Sequence, residues 1–449
     1  MKYYLGEIAK IVKGELNGNP NLLVTGVSTD SRKIRRNDIF VAIKGERFNG
    51  ENFVEQAISN GATGAIVSKD FREKIQNVIK VENTIEALGS LAAHYRSQFE
   101  KLKVIGITGS TGKTTTKEMI FYAIRRNFNV VKNVKSYNNF IGVPLTIFSV
   151  KPETEVLISE IGTNHPGEID KLVSIVRPQI AIVTSIGPSH LEFFGTVKSV
   201  AIEKADILKY LPENGIAILN KDMPFFDEIL KMYPVKKLIT VSTRDKKGAD
   251  YYAEINYMDF KRNEVTINGK FKLILHPGGM GTVYGALFSI AVANIFEIPV
   301  NDTLTGLSKF HGVHMRKEIL EFGKYRILND AYNANPDSMR DFLLTLKPYR
   351  DEVILILGDM FELGDYAEFY HRKTGRLIKE LGFKRLFTIG RMARFISLEA
   401  GNISLNLHLE SIEDIVEELR KFSSENLFIA LKASRAMQLE RIIEKLRRQ

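Results

Sequence analysis

The segment Lys103–Lys117, KVIGITGSTGKTTTK, decides the fold of this chain. An apolar run of β-strand type, Val104–Ile107, leads into a glycine-rich turn between Gly109 and Gly112. The turn opens directly into Lys113-Thr-Thr-Thr and a helical pattern. This order of strand, turn and helix predicts a phosphate-binding loop, because the backbone N–H groups of the turn and the helix N-terminus both attract phosphate oxygens.

Two residues of the loop have specific predicted roles. The Lys113 ammonium would reach the terminal phosphates of a nucleotide, and the Thr114 hydroxyl would bind Mg²⁺. The strict pattern G-x-x-x-x-G-K-[ST] is not met, because its first glycine would fall at Ile107. The alternative is a glycine turn beside a surface lysine, which leaves the complete strand–turn–helix order unexplained. The nucleotide-binding candidates are Gly109, Ser110, Thr111, Gly112, Lys113, Thr114 and Thr115.

Composition is typical of a globular protein with several domains. The 449 residues exceed what one hydrophobic core organises, and the contents of 44% hydrophobic and 26% charged residues are average. No apolar run is long enough to span a membrane, and the N-terminus lacks a signal-peptide pattern. Zero cysteines exclude disulfides and thiolate chemistry. We therefore expect a cytoplasmic protein.

The formal charge of +10 suits anionic ligands. Basic residues are interspersed with acidic ones, and no Lys/Arg run exceeds a few residues. Small phosphorylated substrates therefore explain the charge as well as nucleic acid would. The sequence also lacks a stripe of aromatic and basic residues for binding single strands. We expect no nucleic-acid partner.

Hydrophobic periodicity predicts three α/β domains: residues 1–98 small and mixed, 99–313 built on the phosphate loop, and 314–449 doubly wound and Rossmann-like. In the central domain, apolar runs alternate with helical patterns, which predicts a mostly parallel sheet with helices on both faces. Residues 251–276 alternate polar and apolar side chains and predict antiparallel hairpins before a helix at Tyr284–Phe296. The C-terminal domain lacks G-x-G-x-x-G, so a dinucleotide cofactor is not indicated.

Polar residues follow the predicted central strands. Glu160 ends a strand beside the loop strand, where a carboxylate can hold Mg²⁺ directly or through water. His190 follows the run Ile180–Ile186 and is the best metal or catalytic candidate among the eight histidines. Lys204 lies on the next helix, and its pattern alone favours a solvated lysine. Asn220-Lys221-Asp222 resembles a guanine-binding motif with its Asp one position early, and we discount it.

Two further regions are unusually polar. In the C-terminal domain, Asp330–Ser338 (DAYNANPDS) and Gly358–Gly364 (GDMFELG) each follow a strand. We predict that both stretches lie at the carboxyl ends of neighbouring parallel strands, so they should face one cleft. In the N-terminal domain, Ser28–Arg32 (STDSR) could grip phosphate, ribose or uracil, but a local Asx/ST turn is at least as good an interpretation. His311 and His314 are spaced like metal ligands but belong to the short linker that we predict near residues 311–316.

Together these motifs resemble the Mur ligases, ATP-dependent enzymes that form amide bonds in peptidoglycan synthesis. The loop GITGSTGKTTT is similar to the phosphate loop of that family, and DAYNANPDSM with LGDMFELG resembles the member that adds D-alanyl-D-alanine. The segments STDSR and FVAIKGERFNGENF are shared with a related member and imply a UDP-sugar site. The resemblance implies the substrates UDP-MurNAc-tripeptide, D-Ala-D-Ala and ATP, and a reaction through an acyl phosphate. We expect a monomer.

The resemblance also implies roles for particular residues. Glu160 and His190 would bind Mg²⁺, with two ions in all counting the one at Thr114. Lys204 matches a lysine that the family carbamylates to bind metal. Nucleotide contacts are implied for Arg316 and Asp330. The implied substrate contacts are Ser28, Thr29, Asp30, Ser31, Arg32, Asn138, Asn139, Asn333, Asn335, Asp359, Glu362, Ser434 and Arg435.

One segment departs from the family pattern. Where the family carries G-x-H-N-x-x-N, this chain reads GGMGTVYG at Gly278–Gly285, so the usual adenine contacts are in question. Rival interpretations are a ligase adding a single amino acid or acting on folate, an ATPase acting on nucleic acid, and a non-catalytic UDP-sugar-binding protein. The DAYNANP motif argues against the first, and Lys113, Thr114 and Glu160 together argue against the last.

Overall fold

The computed structural model describes residues 1–45, 48–134, 136–423 and 426–448. The expected α/β architecture with three main sheets is confirmed. Glu46 and Arg47 of the predicted UDP-sugar segment lie outside the described residues. In the described part of the chain, no helix is both long enough and apolar enough to cross a bilayer.

The N-terminal region is a small mixed sheet in the order β2-β7-β6-β5-β4, with the pair β1–β3 beside it. Strands β4 to β7 run parallel, and β2 is antiparallel to β7. The elements are β1 (Tyr3–Tyr4), α1 (Leu5–Ile11), β2 (Glu15–Asn17), β3 (Leu23–Val24), β4 (Gly26–Ser28), β5 (Asp38–Val41), α2 (Val54–Ser59), β6 (Gly64–Ser68), β7 (Val78–Val81) and α3 (Thr84–Ser97).

The central sheet has the order β16-β15-β14-β13-β12-β11-β8-β10-β9, with the loop strand β8 well inside it. Its strands are parallel from β9 to β14, and the predicted antiparallel hairpins β14–β16 extend one edge. Helix α10 begins at Met280, four residues earlier than predicted, so Met280 and Gly281 belong to its first turn and Gly279 is the N-cap.

The central elements are β8 (Lys103–Thr108), α4 (Lys113–Ile124), β9 (Val130–Lys132), α5 (Gly142–Phe148), β10 (Val156–Glu160), α6 (Glu168–Val176), β11 (Ile180–Val183), α7 (Leu191–Phe194), α8 (Val197–Ala205), β12 (Ile216–Asn220), α9 (Phe226–Met232), β13 (Lys237–Ser242), β14 (Tyr251–Met258), β15 (Asn263–Ile267), β16 (Phe271–Leu275), α10 (Met280–Ile295) and α11 (Val300–Leu307).

The C-terminal sheet has the order β17-β18-β22-β19-β20-β21, parallel except for β17. The predicted caps are confirmed: Asn335 caps α12 with Pro336 in its first turn, and Ser411 caps α15. The elements are β17 (Glu318–Phe322), β18 (Tyr325–Asn329), α12 (Pro336–Leu346), β19 (Ile354–Gly358), α13 (Ala367–Leu381), β20 (Arg385–Ile389), α14 (Arg394–Ala400), β21 (Leu405–Leu409), α15 (Ile412–Arg420), β22 (Leu427–Lys432) and α16 (Glu440–Arg447).

The tip of the hairpin β14–β15 inserts into the C-terminal core. Phe260 is fully buried there, with its ring centroid 4.9 Å from those of both Tyr349 and Phe428. The Tyr349 hydroxyl donates to the neighbouring Asp259 carboxylate at 2.9 Å. We call the three rings of Phe260, Tyr349 and Phe428 the Phe260 socket. It holds the C-terminal sheet against the central sheet at a point far along the chain from the linker.

Candidate active site

The phosphate loop joins the carboxyl end of β8 to the first turn of α4, as predicted. Gly109 and Gly112 have φ angles of +148° and +83°. A Cβ on Gly109 would lie 2.0 Å from the Thr184 hydroxyl oxygen and 3.0 Å from the backbone nitrogen of Ser185. Only glycine fits this position, because the φ angle and the space both exclude a side chain.

A second loop, which follows β11, holds the phosphate loop in place. The Ser110 N–H donates to the Ser185 carbonyl at 2.9 Å, and the Thr111 N–H donates to the Ser185 hydroxyl at 2.8 Å. The Ser110 hydroxyl accepts from the Gly187 N–H at 3.0 Å. The sequence analysis missed this support, and its signal is the run of small polar residues Thr184–Ser189 after a strand.

The Lys113 side chain folds back onto the loop, where its Nζ donates to the Gly109 carbonyl at 2.6 Å. Burial lowers the pKa of Lys113 to about 8, while the Glu160 carboxylate acts to raise it and Arg316 adds to the lowering. A bound phosphate would supply negative charge to this ammonium. The loop is therefore arranged to receive an anion.

Glu160 lies at the end of β10, which pairs directly with β8, as predicted. The side chain is 1% exposed. Its Oε1 accepts from the Asn138 amide at 2.9 Å and from the Thr114 hydroxyl at 3.2 Å. Its Oε2 lies 3.7 Å from the Lys117 ammonium and has no hydrogen-bond donor among the described residues. Asn138 therefore orients the carboxylate, whereas Asn139 accepts from N–H groups at the start of α5.

The oxygen atoms of Glu160 and Thr114 fit Mg²⁺. A buried carboxylate oxygen without a hydrogen-bond donor, beside a threonine hydroxyl, offers the oxygen ligands that Mg²⁺ prefers. No group of three His, Asp or Glu side chains within the described ranges has the arrangement of a metal site. Phosphate oxygens and water would supply the remaining ligands, which is usual for Mg²⁺ at nucleotide sites.

Lys204 is buried, so its interpretation as a solvated helix lysine was wrong. The residue is 1% exposed, because α8 is covered by α6, α7 and α9. Burial lowers the pKa of Lys204 well below its usual value, the Lys113 charge lowers it further, and Glu203 opposes both. The amine therefore loses its proton more readily than a surface lysine does.

Glu203, which the sequence analysis missed, anchors the helix that carries Lys204. Its carboxylate accepts from the Gly167 N–H at 2.7 Å, the Ile169 N–H at 2.9 Å and the Thr163 hydroxyl at 3.1 Å. These N–H groups belong to the start of α6, where backbone donors lack intrahelical partners. Glu203 thus ties α6 to α8 directly beside Lys204.

His190 contacts the C-terminal domain. Its Nδ1 lies 2.6 Å from Oε2 of Glu362, and the Glu192 N–H donates to the Glu362 carbonyl at 3.0 Å. His190 and Glu362 both adopt left-handed backbone conformations, with φ of +54° and +61°. The imidazole lowers the pKa of Glu362 against the opposing effect of burial. Two predicted site residues from different domains thus meet each other.

The two polar stretches of the C-terminal domain do not follow neighbouring strands, as the sequence analysis expected. Asp330–Ser338 follows β18 and Gly358–Gly364 follows β19, but β22 lies between these strands. The prediction was wrong because β22 comes last in the chain and inserts between strands that precede it. Three loops therefore meet at this edge, and the third one carries Ser434 and Arg435.

A buried ion pair joins two of these loops. The Lys432 ammonium donates to Oδ2 of Asp330 at 2.6 Å and to the Asn333 carbonyl at 3.1 Å. Lys432 is 2% exposed, and burial lowers its pKa although Asp330 acts in the opposite direction. Arg316, at the linker, stacks its guanidinium 4.3 Å from the centre of the Tyr332 ring. The pair and Arg316 face the phosphate loop across one cleft.

Other predicted residues of this edge hold the loops themselves. One oxygen of Asp359 accepts from two backbone N–H groups after β20 at 3.0 and 2.7 Å. The Ser434 hydroxyl accepts from the Phe361 N–H at 2.8 Å, and Arg435 pairs with Glu440 at 2.5 Å. Asn333 accepts from the adjacent N–H at 2.9 Å. Substrate contacts by these side chains stay predictions.

Asn335 connects the domains. Its Oδ1 accepts from the Ser338 N–H at 2.9 Å as the cap of α12, and its Nδ2 donates to the Ser110 carbonyl at 3.4 Å.

The cleft between the two domains has a volume of about 530 Å³. It is lined by the phosphate loop, the Thr184–Pro188 loop, the start of α10, the linker and the start of α12. This is enough space for a nucleotide and part of a second substrate.

The N-terminal segment forms the local turn that was the alternative interpretation. Asp30 caps a short 3-10 helix, Ser31–Lys33, and binds the Arg32 guanidinium through both oxygens at 2.9 and 3.0 Å. The Arg32 hydrogen bonds hold the pKa of Asp30 at about 2 against the effect of burial. Ser28 accepts from the Asp30 N–H at 3.2 Å, with Thr29 between them. A UDP-sugar contact by this turn stays a prediction.

Comparison with known proteins agrees with this geometry. Three family models match in order: "Mur ligase family, catalytic domain" at residues 23–96, "Mur ligase middle domain" at 107–293 and "Mur ligase, glutamate ligase domain" at 315–435. The chain is 34% identical to the UDP-N-acetylmuramoyl-tripeptide–D-alanyl-D-alanine ligase of Bacillus subtilis, covering 99% of this chain and 98% of that one. It is 31% identical to the Escherichia coli enzyme of the same name, with 98% of each chain covered.

Solved structures give the same result. MurF from Acinetobacter baumannii superposes with a TM-score of 0.91 at 28% identity, over 100% of this chain and 99% of that one. MurF from Thermotoga maritima in complex with ADP superposes with a TM-score of 0.83 at 26% identity, over 95% and 97% of the two chains. Together with the phosphate loop, the buried Glu160 and the cleft, these matches show that the chain belongs to the Mur ligase family of ATP-dependent ligases.

Proposed function

We propose that this ligase joins D-alanyl-D-alanine to UDP-N-acetylmuramoyl-tripeptide with cleavage of ATP to ADP and phosphate. The observation that carries the proposal is the cleft that places Lys113 and Thr114 opposite the Asp330–Lys432 pair. The names of the relatives, at up to 34% identity over nearly the full chain, support the choice of substrates.

In the proposed first step, a carboxylate oxygen of the tripeptide attacks the γ-phosphorus of ATP, and the bond to the ADP oxygen breaks. In the second step, the amine of D-Ala-D-Ala attacks the acyl carbon, phosphate leaves, and the nitrogen loses a proton. Carboxylate and phosphate repel each other, so Lys113 and the loop N–H groups stabilise the first step. Asn335 and the His190–Glu362 contact close the C-terminal domain over the loop and exclude water from the acyl phosphate.

The proposal includes Mg²⁺ held by Thr114 and Glu160, where it would neutralise phosphate charge. It also includes carbamylation of Lys204, because the neutral amine adds CO₂ and the product is a carboxylate able to bind a second Mg²⁺. Native mass spectrometry would then show a mass gain equal to one CO₂ that the Lys204→Arg protein lacks. Unmodified wild-type protein that was fully active would contradict this part.

We extend the proposal to the predicted domain roles: residues 1–98 bind the UDP-sugar, 99–313 bind ATP, and 314–449 close over nucleotide and dipeptide in a cytoplasmic monomer. Phosphate release from ATP, measured with the UDP-tripeptide and with or without D-Ala-D-Ala, tests the reaction. We expect release to require both substrates and the product to gain the dipeptide mass less one water. Release that needed neither would contradict the ligase assignment.

A further inference from the structure

The cleft extends from the phosphate loop to a second end, formed by the loops after β12 and β13 and by the start of α10. We call it the β12 end, and its lining includes Asn220, Asp222, Arg244 and Tyr284. In the sheet, β12 lies on one side of the loop strand β8, and β10 with Glu160 lies on the other. A nucleotide whose terminal phosphate faces Glu160 therefore extends its base toward the β12 end.

Two polar side chains at the β12 end, Asn220 and Asp222, already bind protein partners. The Asn220 amide donates to the Thr184 carbonyl at 3.0 Å, and its oxygen accepts from the Asp222 N–H at 2.9 Å. The Asp222 carboxylate accepts from the Ser242 hydroxyl at 2.6 Å and from the Thr243 N–H at 2.7 Å. These bonds lower the pKa of Asp222, although burial acts to raise it.

Tyr284 is fixed by the same network. Its hydroxyl donates to Asp222 at 2.6 Å and lies 3.0 Å from the Thr243 hydroxyl. The ring itself is only half-buried and borders the cleft. A rigid aromatic face is well suited to stack on a base. Arg244 is exposed at the same end, where its guanidinium could cover the opposite face of that base.

We propose that the base is held by stacking on Tyr284 and not by hydrogen bonds to its edge, so that the enzyme discriminates weakly between adenine and guanine nucleotides. Strong discrimination needs side-chain donors and acceptors that the wrong base leaves unpaired, and Asn220 and Asp222 are already paired. Stacking accepts any purine, because every base offers a π-face. This inference rests on the proposed function in one respect, namely that the cleft binds a nucleotide.

Titration calorimetry of the full-length protein with ADP, GDP and CDP, each with Mg²⁺, tests the inference without either peptide substrate. We expect the Kd values for ADP and GDP to agree within about fivefold and CDP to bind more weakly, because its smaller ring stacks less. A preference for ADP of about a hundredfold or more would overturn the inference and leave the nucleotide site intact. Failure of all three to bind would overturn both this inference and the proposed function.

Two variants separate the ring from its hydroxyl. We expect Tyr284→Ala to weaken ADP and GDP equally, by about tenfold to a hundredfold, and Tyr284→Phe to change either by less than about threefold. The matched control Tyr366→Ala removes an exposed ring outside the cleft and should change neither. Weakening of ADP alone would refute the stacking role. The wild-type comparison needs no variant, so it decides the matter even if Tyr284→Ala does not fold.

Discussion

Replacement of Glu203 by alanine should destabilise the central domain strongly. The carboxylate accepts two backbone N–H groups at the start of α6, a partly buried one at 2.7 Å and a buried one at 2.9 Å. Each buried donor left without a partner costs about 1–3 kcal/mol, so the expected loss is about 2–6 kcal/mol. At roughly 2–4 °C per kcal/mol for a domain of this size, the unfolding temperature should fall by at least about 4 °C.

Scanning calorimetry of the unfolding transition measures this effect. Glu203→Gln keeps one acceptor oxygen and should lose about half as much stability. Lys198→Ala, an exposed change on the same helix, is the matched control and should stay within about 0.5 kcal/mol of the wild type. If Glu203→Ala were no less stable than the control, the contacts at the start of α6 would not stabilise the protein as argued.

Three further predictions concern the loop and the cleft. Gly109→Ala should abolish ADP binding in calorimetry, because the new Cβ would collide with Thr184. The control Gly269→Ala, also at positive φ but in open space, should leave ADP binding unchanged. Equal effects of the two substitutions would contradict the steric argument. Asp330→Ala should lower the free energy of unfolding in urea by about 3–5 kcal/mol, because the buried Lys432 ammonium would lose its charged partner. The double variant with Lys432→Met should recover part of this loss, and no recovery would contradict the pairing. Lys113 has a pKa of about 8 in the free protein, and it should take up a proton when ADP binds at about pH 8.5, because phosphate stabilises the charged form. Calorimetry in buffers of different ionisation enthalpy measures this proton uptake. The Lys113→Met protein should show no such uptake.

Local features of the site were predictable from the sequence. The phosphate loop depends on glycine conformations and on a strand and helix that adjoin it in the chain, so fifteen consecutive residues carried the whole signal. Glu160 was predictable for a similar reason, since the carboxyl ends of parallel strands meet at one edge. The cap of α12 followed from Asn335 and Pro336 alone.

Features that depend on packing were not predictable. Lys204 lies on a helix whose sequence pattern is ambiguous, and its burial comes from α6, α7 and α9 closing around it. The position of β22 between β18 and β19 reflects strand order, which no local pattern encodes. The His190–Glu362 contact needs two domains to meet. In each case, the deciding neighbour is distant in sequence.

The Phe260 socket has a consequence for protein engineering. A cut at residue 313 would remove from the C-terminal core a ring that fills the space beside Tyr349 and Phe428. Leu191, Phe194 and Val200, also from the central domain, pack into the same core. A chimera that exchanged residues 314–449 between relatives would pack the incoming core against the hairpin tip of the recipient, so the two apolar surfaces would match only if the hairpin tip were exchanged with it. The portion that can be exchanged as one piece is larger than the domain and is not continuous in the chain.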